Sequence, residues 1–440
     1  METSNLNQII SQTSLIGKEM YQLIEELYPI CRSITGNGVR ETHSIIGKHI
    51  PIKTHEIPTG TSVFDWTVPK EWNIQDAYIL DPNGKKIIDF QKSNLHVVNY
   101  STPINTKISL KELKKHLHSI PEQPDIIPYL TTYYNEDWGF CISNEQLLKL
   151  DDGEYTVVIN SSLENGSLTY SEYYLKGKKE DEILITCYTC HPSLCNDNLS
   201  GVALVTFLAK YLSKIPLEYS YRFLFIPETI GAITWLCVNE KNISKIKCGL
   251  VATCVGDSGN LTYKKSRKGD TEIDIIAANV LRNSGANYTL LDFFPSGSDE
   301  RQFCSPGFNL SVGSLMRTMY GDFKEYHTSA DNLRFMNVKS LEDSFVKYLE
   351  ILFVFENNKT CMTLNPKCEP QLGKRGLYQT LGGQKINDMT KQAIQWTLNL
   401  SDGNNSLLDI SNKSNLKFNL IKDAADLLTE NNLLKQITTE

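Results

Sequence analysis

Residues 182–212 read EILITCYTCHPSLCNDNLSGVALVTFLAKYL, and the reading of this stretch decides the fold. The opening run, EILITCY, is short and apolar, the pattern of a strand buried on both faces. Residues 199–212 are long and apolar enough to form a buried helix. A strand that passes through a loop into a helix is the repeating element of an α/β sheet covered by helices. Ligands of open α/β sheets bind beyond the C-terminal ends of the strands. His191 lies just past such an end, and Asp197 follows on the same loop. Asn196, Asn198, Ser200 and Gly201 supply turn and capping chemistry around them. Imidazole nitrogen and carboxylate oxygen are both zinc ligands, so the pair reads as a half-site. Taken alone it reads equally well with Asp197 as the N-cap of the following helix.

Two further strand ends supply partners. The strand-like run YRFLFI (221–226) leads into PETIGA, which puts Glu228 at a second C-terminal edge; LSVGSLM (310–316) is followed by a loop, GDFKEYHTSADN, that carries His327. Three loops therefore bring His191, Asp197, Glu228 and His327 toward one edge of the sheet. A His, Asp and His set leaves room for water on a metal, and a neighbouring Glu is placed to act as its base. The competing reading of Glu228 is a carboxylate stabilised by a helix N-terminus. The other six histidines (His43, His49, His55, His96, His116, His118) lie in helical or β-rich surroundings and read as structural or solvated.

Further out, residues 17–50 carry the spacing of an amphipathic helix at Met20, Leu23, Ile24, Leu27 and Ile30. Residues 61–154 are rich in Trp, Tyr, Pro and short alternating runs, the pattern of a small β-rich insertion. Residues 17–60 and 155–356 then form the α/β domain, with a mixed, mostly parallel sheet between helices. Residues 357–440 hold three short helix-like stretches and a final LLK strand, which predicts a winged-helix module. That end carries ten basic and eight acidic side chains without a basic stripe, and the whole chain of 440 residues has a net charge of −7. Both facts weigh against nucleic acid as a partner. No stretch has the roughly 20 apolar residues of a membrane span, and the first residues lack the pattern of a secretory signal. The eleven cysteines are expected as free thiols, including the CYTC pair Cys187 and Cys190, and the chain is expected in the cytoplasm. There is no phosphate-binding glycine loop and no GxSxG elbow.

The combination of strand-His, Asp-Asn-x-Ser-Gly, strand-Glu, Ser-Asp-x-x-x-Phe (Ser298, Asp299, Phe303) and Tyr-His-Thr-x-x-Asp (Tyr326, His327, Thr328, Asp331) resembles the co-catalytic zinc aminopeptidases, whose clan also contains glutaminyl cyclases. More closely, the chain resembles bacterial aminopeptidase-like proteins with an inserted small domain and a C-terminal winged helix. The resemblance implies Asp197 as the central metal carboxylate, His191 and His327 as imidazole ligands, Glu228 as general base, and one or two zinc ions. It also implies departures: the second glutamate is Thr229, and the later aspartate falls near Thr253, with Asp257 the nearest carboxylate. The aspartate that would orient the first His is Ser193. Arg301 and Tyr320 are candidates for substrate binding, whereas Arg267 and Lys268 read as a solvated charge run. The function implied is zinc-dependent hydrolysis of a small peptide or related amide. The alternatives are a metal-binding sensor or scaffold working through the winged helix, or a cyclase or transferase acting on N-terminal amines; homo-oligomers are left open.

Overall fold

A computed structural model describes residues 1–377 and 388–437. The chain divides into two compact units, one made of Gln12–Ile273 and Thr289–Phe345, the other of Met1–Ser11, Asp274–Tyr288 and Val346–Glu440.

The first unit is organised by an eight-stranded sheet in the order Lys53–Pro58, Ser167–Leu175, Ser220–Ile226, Glu182–Tyr188, Ile246–Ala252, Val312–Met316, Leu261–Lys264, Tyr288–Leu291. The four strands from Ser220–Ile226 to Val312–Met316 are parallel. Flanking pairs run antiparallel, so the sheet is mixed, as expected. Every residue of Glu182–Tyr188 is buried, which explains why that strand reads as a continuous apolar run rather than an alternation. Helix Gly201–Leu212, which follows it, buries eleven of its twelve residues. Each fully buried Leu, Val or Phe contributes about 1.5–3 kcal/mol, so this strand and helix anchor the loop between them. Because the four inner strands are parallel, their C-terminal ends share one edge of the sheet.

The long helix expected over residues 17–50 is two helices, Thr13–Leu27 and Asn37–Ile46. The break follows from Pro29, which has no N–H to donate, and from Gly36, whose φ of +99° suits glycine. In the break Arg32 is buried and donates to the carbonyls of Leu27 at 2.7 Å and His191 at 2.8 Å. It ties the N-terminal segment to the loop beyond the central strand.

Between the first and second strands of the large sheet the chain makes a four-stranded antiparallel sheet in the order Lys86–Asp89, Glu71–Leu80, Glu154–Glu164, Ile104–Ser109. Alternate residues Tyr155, Val157 and Ile159 join Ala77, Ile79 and Ile88 in its core, the period-two pattern of a one-sided sheet.

In the second unit, helices Asp388–Leu400, Leu407–Ser414 and Phe418–Glu430 accompany an antiparallel sheet ordered Asp402–Ser406, Thr360–Thr363, Leu434–Gln436. This is a winged helix. Ser406 caps its second helix, accepting from the Asp409 N–H at 3.2 Å while the Asp409 carboxylate accepts from the Ser406 N–H at 2.9 Å. All eleven cysteines are free. No helix among the described residues is long and apolar enough to cross a membrane.

Candidate metal centre

The loop after Glu182–Tyr188 is held by a dense set of hydrogen bonds. The Asp331 carboxylate accepts from the N–H groups of Asn196 at 2.6 Å and Asp197 at 2.9 Å. The Asn196 side chain accepts from Gly256 N–H and donates to Asp257, and the Asn198 side chain donates to the Ala252 carbonyl at 2.9 Å. Ser200 accepts from the Val255 N–H at 3.0 Å. These contacts lock the loop onto the end of the adjacent strand Ile246–Ala252, and the Asp197–Asn198 peptide is cis. Asparagine and serine at these positions are therefore loop anchors as well as turn formers.

On this frame His191, Asp197 and His327 offer ligand atoms within 4.8 Å of one another, and Cys190, His191 and Glu228 form an overlapping group. His191 Nε2 lies 3.9 Å from Asp197 Oδ2 and 3.8 Å from Glu228 Oε2. His327 Nε2 is 3.0 Å from Asp197 Oδ2, yet both atoms are buried without a properly aligned hydrogen bond. An unpartnered buried polar atom costs about 1–3 kcal/mol, which a cation between them would offset. One carboxylate and two imidazoles, all converging, make a donor set that fits zinc.

Electrostatics agrees with that use. Burial pushes His191 down to about 4, against the pull of Asp197, so its ring is neutral and able to ligate at neutral pH. Burial alone would raise Asp197, but the two imidazoles and Tyr188 outweigh it and hold the carboxylate at about 2. Glu228 is raised, first by burial and then by the nearby charges of Asp299 and Asp197. Burial likewise lifts Asp299 to about 7.

The remaining candidates separate. Asp257 has both oxygens occupied, by Thr318 Oγ1 at 2.6 Å, Gly259 N–H at 2.7 Å, Asn196 Nδ2 at 3.0 Å and Thr318 N–H at 3.2 Å, and it belongs to neither ligand group. Arg301 reaches the site's margin, donating to Thr229 Oγ1 at 2.7 Å and to the Gly297 carbonyl. The Tyr320 hydroxyl accepts from Lys264 at 3.0 Å beside the buried Lys264–Glu300 ion pair. Ser193 hydrogen-bonds the Tyr28 carbonyl at 2.7 Å and does not orient His191.

Three residues escaped the sequence reading. Tyr129 packs its ring against both His191 and His327, with centroids 5.3 and 5.1 Å away, and its N–H donates to the His327 carbonyl at 2.7 Å. Tyr188, which along the chain is merely the last residue of an apolar strand, donates its hydroxyl to Asp197 Oδ1. Arg32 holds the His191 backbone. A lone arginine in the apolar run YPICRSI was the one available signal for Arg32; nothing local marks the two tyrosines.

A sheet of this topology, with imidazoles and carboxylates gathered at its C-terminal strand ends, defines an α/β protein with an aminopeptidase-like fold. The chain belongs to the family described as a domain of unknown function, DUF4910, whose model matches residues 21–358, and a winged helix-turn-helix model matches residues 359–436. A Clostridium acetobutylicum protein, provisionally described as a polysaccharide biosynthesis protein with an aminopeptidase-like domain, is 59% identical over 432 residues, covering 98% of this chain and 99% of that one. A crystal structure from the same organism, provisionally described as a peptidase, superimposes with a TM-score of 0.95 at 58% identity over 99% of this chain and all of that one. A zinc aminopeptidase from Bacillus subtilis shares the fold, with a TM-score of 0.56 at 13% identity over 77% of this chain and 94% of its own.

Proposed function

We propose that this protein is a zinc-dependent, aminopeptidase-like hydrolase acting on a peptide or a related amide. The observation that carries the reading is the convergence of Asp197 Oδ2 and His327 Nε2, buried and without hydrogen-bond partners, with His191 Nε2 beside them. His191, Asp197 and His327 would hold the ion, and Glu228 lies beside them, 3.8 Å from His191. When bound, zinc polarises a carbonyl and lowers the pKa of water. Glu228 would take the proton from the attacking water and return it to the leaving nitrogen, a role its place beside His191 supports. Arg301, held by Thr229, would offer a fixed cation to the substrate, and the Tyr129 ring packs on the His191 imidazole.

The test pairs metal analysis of chelator-free protein with turnover of a peptide and amide panel by wild type and Glu228→Gln. The expected outcome is bound zinc in both and turnover at least about 100-fold lower in the variant. Equal turnover would remove Glu228 as the base.

A further inference from the structure

Resemblance to the two-metal enzymes raises the question of a second ion, and this chain's own residues answer it. The two positions at which that resemblance expects further carboxylate ligands are Thr229 and Thr253, and both hydroxyls are engaged. Thr229 Oγ1 accepts from Arg301, which sets a guanidinium where another cation would be repelled. Thr253 Oγ1 is 2.7 Å from the Tyr188 hydroxyl, and the Tyr188 hydroxyl is also bonded to Asp197 Oδ1. With the Tyr188 proton directed at the carboxylate, the one Thr253 proton is shared between the Tyr188 hydroxyl at 2.7 Å and Cys254 Sγ at 3.4 Å, so the Thr253 hydroxyl is held by protein partners on both sides. Asp257, the nearest spare carboxylate, receives four protein donors and has no lone pair free for an ion along those directions.

The two oxygens of Asp197 are thus inequivalent. Oδ1 is taken by a buried phenol; Oδ2 is buried, unpartnered and faces the imidazoles. A carboxylate that bridges two ions needs both oxygens. We infer that this centre holds a single ion, with the Tyr188–Thr253 hydroxyl pair standing in place of a second one, and that Tyr188 is a positioning residue that presents Asp197 Oδ2 to the ion. The inference rests on the assignment of His191, Asp197 and His327 as ligands. Its position in the fold suits Tyr188 to this role, since it ends the fully buried strand Glu182–Tyr188 and its ring lies 5.1 Å from that of His191. Groups that orient a metal ligand from behind typically alter metal affinity about 10–100-fold when removed.

The experiment is zinc titration of metal-stripped full-length protein by calorimetry, with metal analysis of the product and the visible spectrum of the cobalt form. One equivalent per chain is expected; two equivalents would overturn the inference, as would none. Tyr188→Phe keeps the ring and removes the hydroxyl. It should weaken zinc binding about 10–100-fold and shift the cobalt spectrum, while the metal-free variant still unfolds cooperatively, at a lower midpoint because Asp197 Oδ1 has lost its donor. Unchanged affinity and spectrum would refute the positioning role, and should the variant fail to fold, stoichiometry of the native chain still decides the ion count. Tyr188→Phe combined with Thr253→Asp should admit a second equivalent. One bound ion with no amide turnover would sink the proposed hydrolysis and leave this inference standing; two ions with turnover would do the reverse.

Discussion

Asp197 shows how much of the chemistry depends on which way one carboxylate faces. Its backbone N–H is fixed by Asp331, one carboxylate oxygen by Tyr188, and the other oxygen is buried without a hydrogen-bond partner. Asp197→Asn should therefore reduce zinc affinity by more than about 100-fold, measured by competition with a chelating dye, because an amide supplies a weaker ligand and no charge. A second residue makes a separate prediction about pH. His43 is buried, shares a hydrogen bond of 2.9 Å with Ser171, and burial lowers its pKa to about 3. Its folded-state pKa lies below its unfolded value near 6.5, so as pH falls through 6.5 the unfolded chain takes up a proton that the folded chain refuses. Stability contributed by the neutral form is full above about pH 6.5 and declines toward about pH 3. Between about pH 6.5 and 4 the loss is about 3 kcal/mol from this group. Urea unfolding of metal-free wild type and His43→Gln across that range should show a shallower decline in the variant; parallel declines would rule His43 out as the source.

At the scale of elements, the legible parts were those whose burial is complete. Glu182–Tyr188 and Ser220–Ile226 read as strands because both faces are covered, and the helix after each follows from length and composition. His191, Asp197 and Glu228 were visible because each lies within a few residues of such an end. The break between Thr13–Leu27 and Asn37–Ile46 was missed because the apolar spacing persists through it, although Pro29 marks the place. Close approach of elements gives another prediction. A Cβ on Gly201 would run into the Ala252 carbonyl and the Asn198 side chain at the start of helix Gly201–Leu212. Gly201→Ala should cost about 1–3 kcal/mol and weaken zinc binding, since the displaced loop carries Asp197. Gly307→Ala, where nothing lies within 4 Å, is the matched control and should leave both unchanged in the same unfolding and titration assays.

On the scale of the molecule, the segment around Tyr129 belongs to the stretch between the sheet's first two strands, yet it pairs with the loop of His327. The Ile127 N–H donates to Ser329 Oγ at 3.0 Å, the Ser329 N–H donates to the Ile127 carbonyl at 2.8 Å, and the Tyr129 ring packs on both imidazoles. Tyr129→Ala should destabilise the fold by about 3 kcal/mol and loosen the metal site, whereas Tyr129→Phe, which loses only the hydroxyl contact to Tyr133, should cost about 1 kcal/mol in thermal or urea unfolding. For the winged helix, ten basic and eight acidic side chains in residues 357–440 predict no retardation of duplex DNA in gels at about 150 mM salt. The α/β architecture, the winged helix and the candidate ligands could all be read along the chain, because continuous apolar strands and short strand-to-helix loops are encoded by near neighbours. That Tyr188, Arg32 and Tyr129 serve the site, and that Asp257 stands apart from it, emerged only once the chain was folded. Those roles depend on which side chains meet across strands and loops up to about 200 residues apart, as Ile127 meets Ser329, and spacing along the chain carries no trace of such a meeting.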